Sequence, residues 1–213
     1  MPGWNPDTYA QFATERSRPF FDLVQRIRAD QPRRVVDLGC GPGDLTATLA
    51  DRWPGAVIEG VDSSSDMIER ARRHRRDGVS FALGDLRQWS PAAPVDVLIS
   101  NATLQWVPGH RTLLPRLLDS VVRGGWLALQ VPGSFDQPSH RLLRALARED
   151  RFAAATAHVE EPEAHDAMTY LGDLEGLGCQ VEAWETTYLH VLAGPDPVFR
   201  WISGTVPGRS WRR

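Results

Sequence analysis

The sequence predicts an α/β protein built on a doubly wound, mostly parallel sheet. Two observations carry that expectation. Short apolar runs, among them "RVVDL", "AVIEGVD", "VDVLISN" and "GGWLALQV", alternate with helical patterns along the chain, the order that gives parallel strands joined by crossover helices. The first run also opens directly into three glycines, Gly39, Gly41 and Gly43. A backbone without Cβ turns sharply there and lets a ligand sit against it.

The elements follow in order. Asn5 caps a first helix with Pro6 at its first position. "RPFFDLVQRI" sets Phe20, Leu23, Val24 and Ile27 on one helical face. "RVVDL" is the first strand, and Leu45, Leu49 and Trp53 stripe the helix after the glycines. "AVIEGVD" is the second strand, followed by the helix "SSDMIERARRHRR" with Ser64 or Ser65 as its cap. Val79, Phe81 and Leu83 alternate as a third strand, and "VDVLISN" is a fourth. "RTLLPRLLDSVV" is helical with Pro115 near its start, and "GGWLALQV" is a fifth strand after a Gly-Gly turn. Residues 134–178 form a helical cap region, "CQVEAWETTYLHVL" a sixth strand, and the remainder turns and a helix.

Composition narrows the function classes. The chain has 213 residues, 42% of them hydrophobic and a net charge of −3, which suits one soluble domain over 1–213 and no general polyanion binder. All 24 basic residues are arginine, which excludes lysine Schiff-base chemistry and a Walker-type phosphate grip. The two cysteines, Cys40 and Cys179, form no CxxC pair, so neither a zinc site nor a disulfide framework is expected. No signal pattern opens the chain and no apolar run approaches the ~20 residues of a membrane span. A cytoplasmic location without membrane or nucleic-acid partners is expected; the sequence leaves the oligomeric state open.

The glycine loop does not fit a dinucleotide fingerprint. G-x-G-x-x-G started at Gly39 ends on Asp44, and started at Gly41 it ends on Thr46. Asp44 beside the helix start would repel a pyrophosphate. The stretch "DLGCGPG", Asp37 to Gly43, instead resembles motif I of the class I S-adenosylmethionine methyltransferases, a Rossmann-like fold. The resemblance implies S-adenosyl-L-methionine as cofactor, held by Asp37, Gly39, Cys40, Gly41 and Gly43. It places Asp62, with Ser63 beside it, on the ribose hydroxyls. Asp85 would take the adenine amino group, Met67 and Leu86 would sandwich the ring, and Asn101 and Ala102 would face the methionine part. All lie at the carboxyl ends of strands, where open α/β sheets bind ligands.

A closer resemblance is carried by "WNPDTYAQF", "RSRPFFDLV", "RWPGAVIEGVDSS", "SNATLQWVPGH", "LQVPGSFDQPSH" and "WETTYLHVL". Together they look like the trans-aconitate 2-methyltransferase family. That implies an O-methyltransferase esterifying a small polycarboxylate, N-terminal helices within 1–30 over the cofactor site, and the cap at 134–178. The family closes with a further strand antiparallel to the sixth, whereas here "VPGRSWRR" ends the sequence, so that last strand is expected to be missing. A carboxylate with a pKa near about 4 is already ionised at neutral pH; no catalytic base and no metal is assigned. Arg16 and Arg18 are candidates for holding the other carboxylates, since an Arg fork suits them. Tyr9, Gln105, Trp106, His140 and Tyr188 are the polar and aromatic candidates. The alternatives are another small acceptor, or a cofactor-binding relic without activity. Nothing like "NPPY" follows the fourth strand, where "SNATLQW" stands, and nucleic-acid methylation is not expected.

Overall fold

The structure is a computed structural model that describes residues 13–157, 159 and 161–203. Asn5, Pro6 and Tyr9 lie outside the described residues. In chain order the elements are α1 (Ala13–Arg26), β1 (Arg34–Leu38), α2 (Asp44–Arg52), β2 (Val57–Asp62), α3 (Ser65–Ala71), β3 (Val79–Leu83), β4 (Val95–Asn101), α4 (Leu114–Asp119), β5 (Val121–Gln130), α5 (Pro138–Ala147), α6 (Asp150–Thr156), α7 (Ala167–Gly176) and α8 (Pro197–Ser203). The chain divides into two compact units. One is Pro19–Pro132 with Glu163–Trp184, the other Met1–Arg18 with Gly133–Pro162 and Glu185–Arg213.

The first unit holds a five-stranded sheet in the order β3-β2-β1-β4-β5, parallel at every pairing. Side chains alternate across a strand, so successive residues face opposite layers. Val35, Ile58, Val97 and Ile99 pack with Phe20, Leu23, Val24, Ile27, Leu49 and Trp53 on one face. Val36, Leu38, Val61 and Leu98 pack with Leu104 and Leu117 on the other. Both faces are buried, which is why these strands read as continuous apolar runs. Strand order reverses between β1 and β4. The crevice at such a reversal, beyond the carboxyl ends, is where doubly wound sheets take ligands.

Most expected elements are present, and Ser64 is the cap of α3, its hydroxyl accepting the Met67 N–H at 3.4 Å. Two expectations are corrected. The fifth strand begins at Val121 rather than after the glycine pair, and α4 stops at Asp119. Gly124 adopts φ +79° and the register to β4 shifts between Val95 and Val97. Glycine absorbs an irregularity in the ladder here instead of starting the strand. The sixth strand expected at "CQVEAWETTYLHVL" is not formed: residues 179–193 carry no strand. Leu189 and Val191 are exposed, so this alternating segment has no sheet neighbour among the described residues to bury its apolar side.

In the other unit, α5 follows a short turn at Ser134–Asp136 and starts with Pro138, a position whose N–H is not needed. Arg144 donates to the Phe135 carbonyl at 2.8 Å, and the Thr156 hydroxyl ties α6 to the Ala147 carbonyl at 2.8 Å. Among the described residues no helix is long and apolar enough to cross a membrane.

Candidate cofactor site

The glycine loop is built by backbone geometry. Gly39, Gly41 and Gly43 all have positive φ, +83°, +54° and +83°, a region that L side chains enter only with strain. The three are not equivalent. A Cβ on Gly39 would lie 2.0 Å from Thr103 Oγ1, and one on Gly43 would meet Ala71 and Phe81 at 2.6 and 2.7 Å. A Cβ on Gly41 would meet nothing within 4 Å. Gly39 and Gly43 are therefore required by protein neighbours, while Gly41 borders open space.

Asp62 ties the loop to the next turn. Its Oδ2 accepts the Gly41 N–H at 2.9 Å and its Oδ1 the Ser64 N–H at 2.8 Å. A carboxylate has about four acceptor positions, so each oxygen keeps capacity for a further donor. Asp37 lies beneath the loop, 3% exposed, where the Thr46 hydroxyl donates to it at 2.6 Å. Burial, reinforced by the charges of Asp62 and Asp44, outweighs that hydrogen bond and raises its pKa to about 6. Burial likewise pushes the Cys40 thiol far above its usual range, so Cys40 fills the turn as a small apolar group rather than a nucleophile. Ser63 is exposed and Met67 half-buried.

Asp85 is already engaged. Both its oxygens accept from the Arg87 guanidinium, the shortest contact 2.7 Å, and Arg87 holds its carboxyl below the ordinary range. An adenine amino group would share this carboxylate with Arg87. The Leu86 side chain belongs to the core beside Val36, Leu38 and Val61. At the end of β4, Ala102 is held at φ +52° with its N–H on the Gln130 carbonyl at 3.0 Å. Asn101 Oδ1 and Gln105 Oε1 are buried without hydrogen-bond partners. Gln105 Nε2 donates to the Ala102 carbonyl at 2.6 Å, and Trp106 beside it is half-buried.

The structure brings Asp37, the three glycines, Asp62, Ser63, Asn101 and Ala102 to neighbouring strand ends. Of the other expected residues, Arg16 donates to the Trp201 carbonyl at 2.7 Å and lies over its ring at 5.0 Å. Tyr188 stacks on His190, centroids 6.4 Å apart, and His190 meets Trp201 at 4.6 Å. Arg18 is exposed. His140 sits edge-on to Phe135 at 5.6 Å, and burial lowers its pKa. Sequence reasoning missed Thr103, which donates to the Asn101 carbonyl at 3.0 Å, and it missed Trp201 and His190. A small hydroxyl residue after a strand was the available signal for Thr103. The other two have none, because their grouping is a long-range contact.

A family model described as "Methyltransferase domain" matches residues 12–180. The chain is 50% identical over 210 residues to a trans-aconitate 2-methyltransferase of Mycobacterium sp. (strain KMS), covering 95% of this chain and 80% of that protein. It is 48% identical over 205 residues to the Rhodococcus jostii protein of that name, with 95% and 80% covered, and 46% identical over 216 residues to that of Streptomyces avermitilis, with 96% and 80% covered. The chain thus spans about four-fifths of these relatives' length. Among solved structures, a methyltransferase from Haloferax volcanii in complex with the Trm112 activator superposes with a TM-score of 0.62 at 18% identity, covering 80% of this chain and 71% of that one. A Haemonchus contortus phosphoethanolamine N-methyltransferase does so at 0.57 and 17%, covering 74% and 36%. At that identity they speak for the doubly wound fold. A glycine loop at the strand reversal, an acidic residue closing β2 and relatives of about half identity lead to one conclusion: this chain belongs to the trans-aconitate 2-methyltransferase family of methyltransferase-domain proteins.

Proposed function

We propose that the protein transfers a methyl group from S-adenosyl-L-methionine to a carboxylate of trans-aconitate, giving a monomethyl ester. Relatives at 46–50% identity carrying that name support the reaction. The observation that carries the cofactor site is Gly41: a left-handed glycine open to space whose N–H is held by Asp62. The residues fit the group. Asp62 keeps acceptor capacity for two ribose hydroxyls, and the unpartnered Asn101 Oδ1 suits a donor such as an ammonium. Asp85 and the half-buried Met67 remain the candidates for the adenine.

The bound cofactor supplies an electrophilic methyl on a sulfonium. The chain's own residues have less chemistry to do. The nucleophilic carboxylate is ionised well below neutrality, so no residue needs to take a proton from it. Holding acceptor and methyl in line is the main task, and misplacement by about 1 Å can cost about 10²-fold. Gln105 and Trp106 are proposed to line the acceptor's end of the crevice.

Purified protein incubated with methyl-labelled cofactor and a panel of organic acids tests this by mass spectrometry. A labelled monoester of trans-aconitate, with cis-aconitate and citrate much poorer, is expected. Methylation of a phenol or amine with trans-aconitate untouched would overturn the acceptor, and no cofactor binding at all would overturn the reading entirely.

A further inference from the structure

Residues 163–173 clamp the segment that follows β4 at several points. The Glu163 N–H donates to the Gln105 carbonyl at 2.8 Å, and Glu163 Oε2 accepts the Gly109 N–H at 2.7 Å. Its Oε1 lies 3.0 Å from His165 Nε2. The fully buried His110 sets Nε2 2.8 Å from the Tyr170 hydroxyl. Arg111 forks onto Asp173 at 2.6 and 2.7 Å. The segment is short 3-10 turns, Leu104–Trp106 and His110–Leu113, with little regular structure of its own to hold it.

The clamp leaves one polar atom unserved. Gln105 is 3% exposed, its Nε2 is spent on the Ala102 carbonyl, and its Oε1 has no partner. Buried polar atoms are nearly always hydrogen-bonded. A free amide oxygen accepts and cannot donate, so what satisfies it must bring an N–H or O–H. A fully ionised polycarboxylate brings none. The amino-acid end of S-adenosylmethionine brings an ammonium with three.

We propose that Glu163 is a positioning residue for the cofactor: its backbone N–H anchors the Gln105 carbonyl, and its carboxylate, by accepting the Gly109 N–H, fixes the turn so that Gln105 Oε1 stays free for the cofactor's ammonium. This rests on the cofactor reading above and moves Gln105 from the acceptor to the cofactor. Asn101 Oδ1, four residues earlier, is likewise buried without a partner.

Calorimetric titration with two ligands tests it. S-Adenosylhomocysteine carries the ammonium; 5′-methylthioadenosine keeps the nucleoside and lacks the amino-acid end. Glu163→Ala keeps the backbone bond to Gln105 and releases the Gly109 turn, so Gln105 Oε1 should lose its placement: S-adenosylhomocysteine should weaken about tenfold, the scale of one hydrogen bond to a charged group, with methylthioadenosine within about twofold. Glu163→Gln, which can still accept the Gly109 N–H, should restore binding. Gln105→Met, similar in shape and without the oxygen, should show the same selective loss and serves if Glu163→Ala does not fold. Equal weakening of both ligands, or none, overturns the proposal while leaving the cofactor site standing. If the parent protein binds neither ligand, the cofactor reading falls and this inference with it.

Discussion

Thr103 occupies the space that a side chain on Gly39 would need. A Cβ there would lie 2.0 Å from Thr103 Oγ1 and 2.5 Å from its Cβ, while Thr103 Oγ1 sits 3.3 Å from the Gly39 carbonyl. The glycine loop after β1 and the turn after β4 are thereby locked at the point where strand order reverses. Gly39→Ala should destabilise the fold by about 2–4 kcal/mol, combining positive-φ strain and overpacking. Adding Thr103→Gly should recover the steric part and leave the strain. Urea unfolding of the single and double variants reads the coupling; simple additivity of the two changes would rule the clash out.

Asp37 predicts a pH dependence of stability. Its folded pKa is raised to about 6 from 3.8, so the unfolded chain releases this proton first. The stability it contributes is complete below about pH 4 and is lost as pH rises through about 6. Asp37→Asn, still able to accept from Thr46, should be more stable than the parent at pH 8 by about 1–3 kcal/mol, with the gain gone at pH 4. Denaturant midpoints at the two pH values measure it, and parallel curves for both proteins would contradict the assignment.

Asp62 is expected to matter before any ligand arrives. Asp62→Ala strips acceptors from the Gly41 and Ser64 N–H groups, each worth about 0.5–1.5 kcal/mol net. The variant should melt lower and bind S-adenosylhomocysteine at least tenfold more weakly. Calorimetry beside a thermal melt separates the two effects. Unchanged affinity in a folded variant would remove Asp62 from the site.

Arg87 competes for Asp85. Their ion pair is exposed, with side-chain accessibilities of 65% and 30%, so its loss should change stability by less than about 1 kcal/mol. Arg87→Ala removes the guanidinium and leaves only the residue-87 N–H on Asp85 Oδ1, so adenosine-containing ligands should bind equally well or a few-fold tighter. A tenfold loss of affinity would show instead that Arg87 itself holds the ligand.

The fold was legible where burial is continuous. β1 and β4 coincide with "RVVDL" and "VDVLISN" because a strand covered on both faces is apolar at successive positions. The segment at 179–193 failed as a strand because alternation describes side chains, whereas a strand exists through backbone bonds to a neighbour. The helix expected to reach Val122 ended at Asp119 because pairing with Val95 takes Val121 into β5. That competition is set by the sheet and has no local signal.

The sequence by itself determined the glycine loop, the acidic ends of β2 and β3 and the doubly wound order. Those depend on backbone permissiveness, residue chemistry and burial period, which short stretches of chain carry. The tertiary structure alone decided which glycine borders open space and which faces Thr103, that Asp85 pairs with Arg87, and that Gln105 is clamped by Glu163. Thr103 is 64 residues from Gly39, and Glu163 is 54 from Gly109. Contacts between such distant residues follow from how strands and helices pack, and a steric or hydrogen-bonded neighbour leaves no mark on the sequence around its partner.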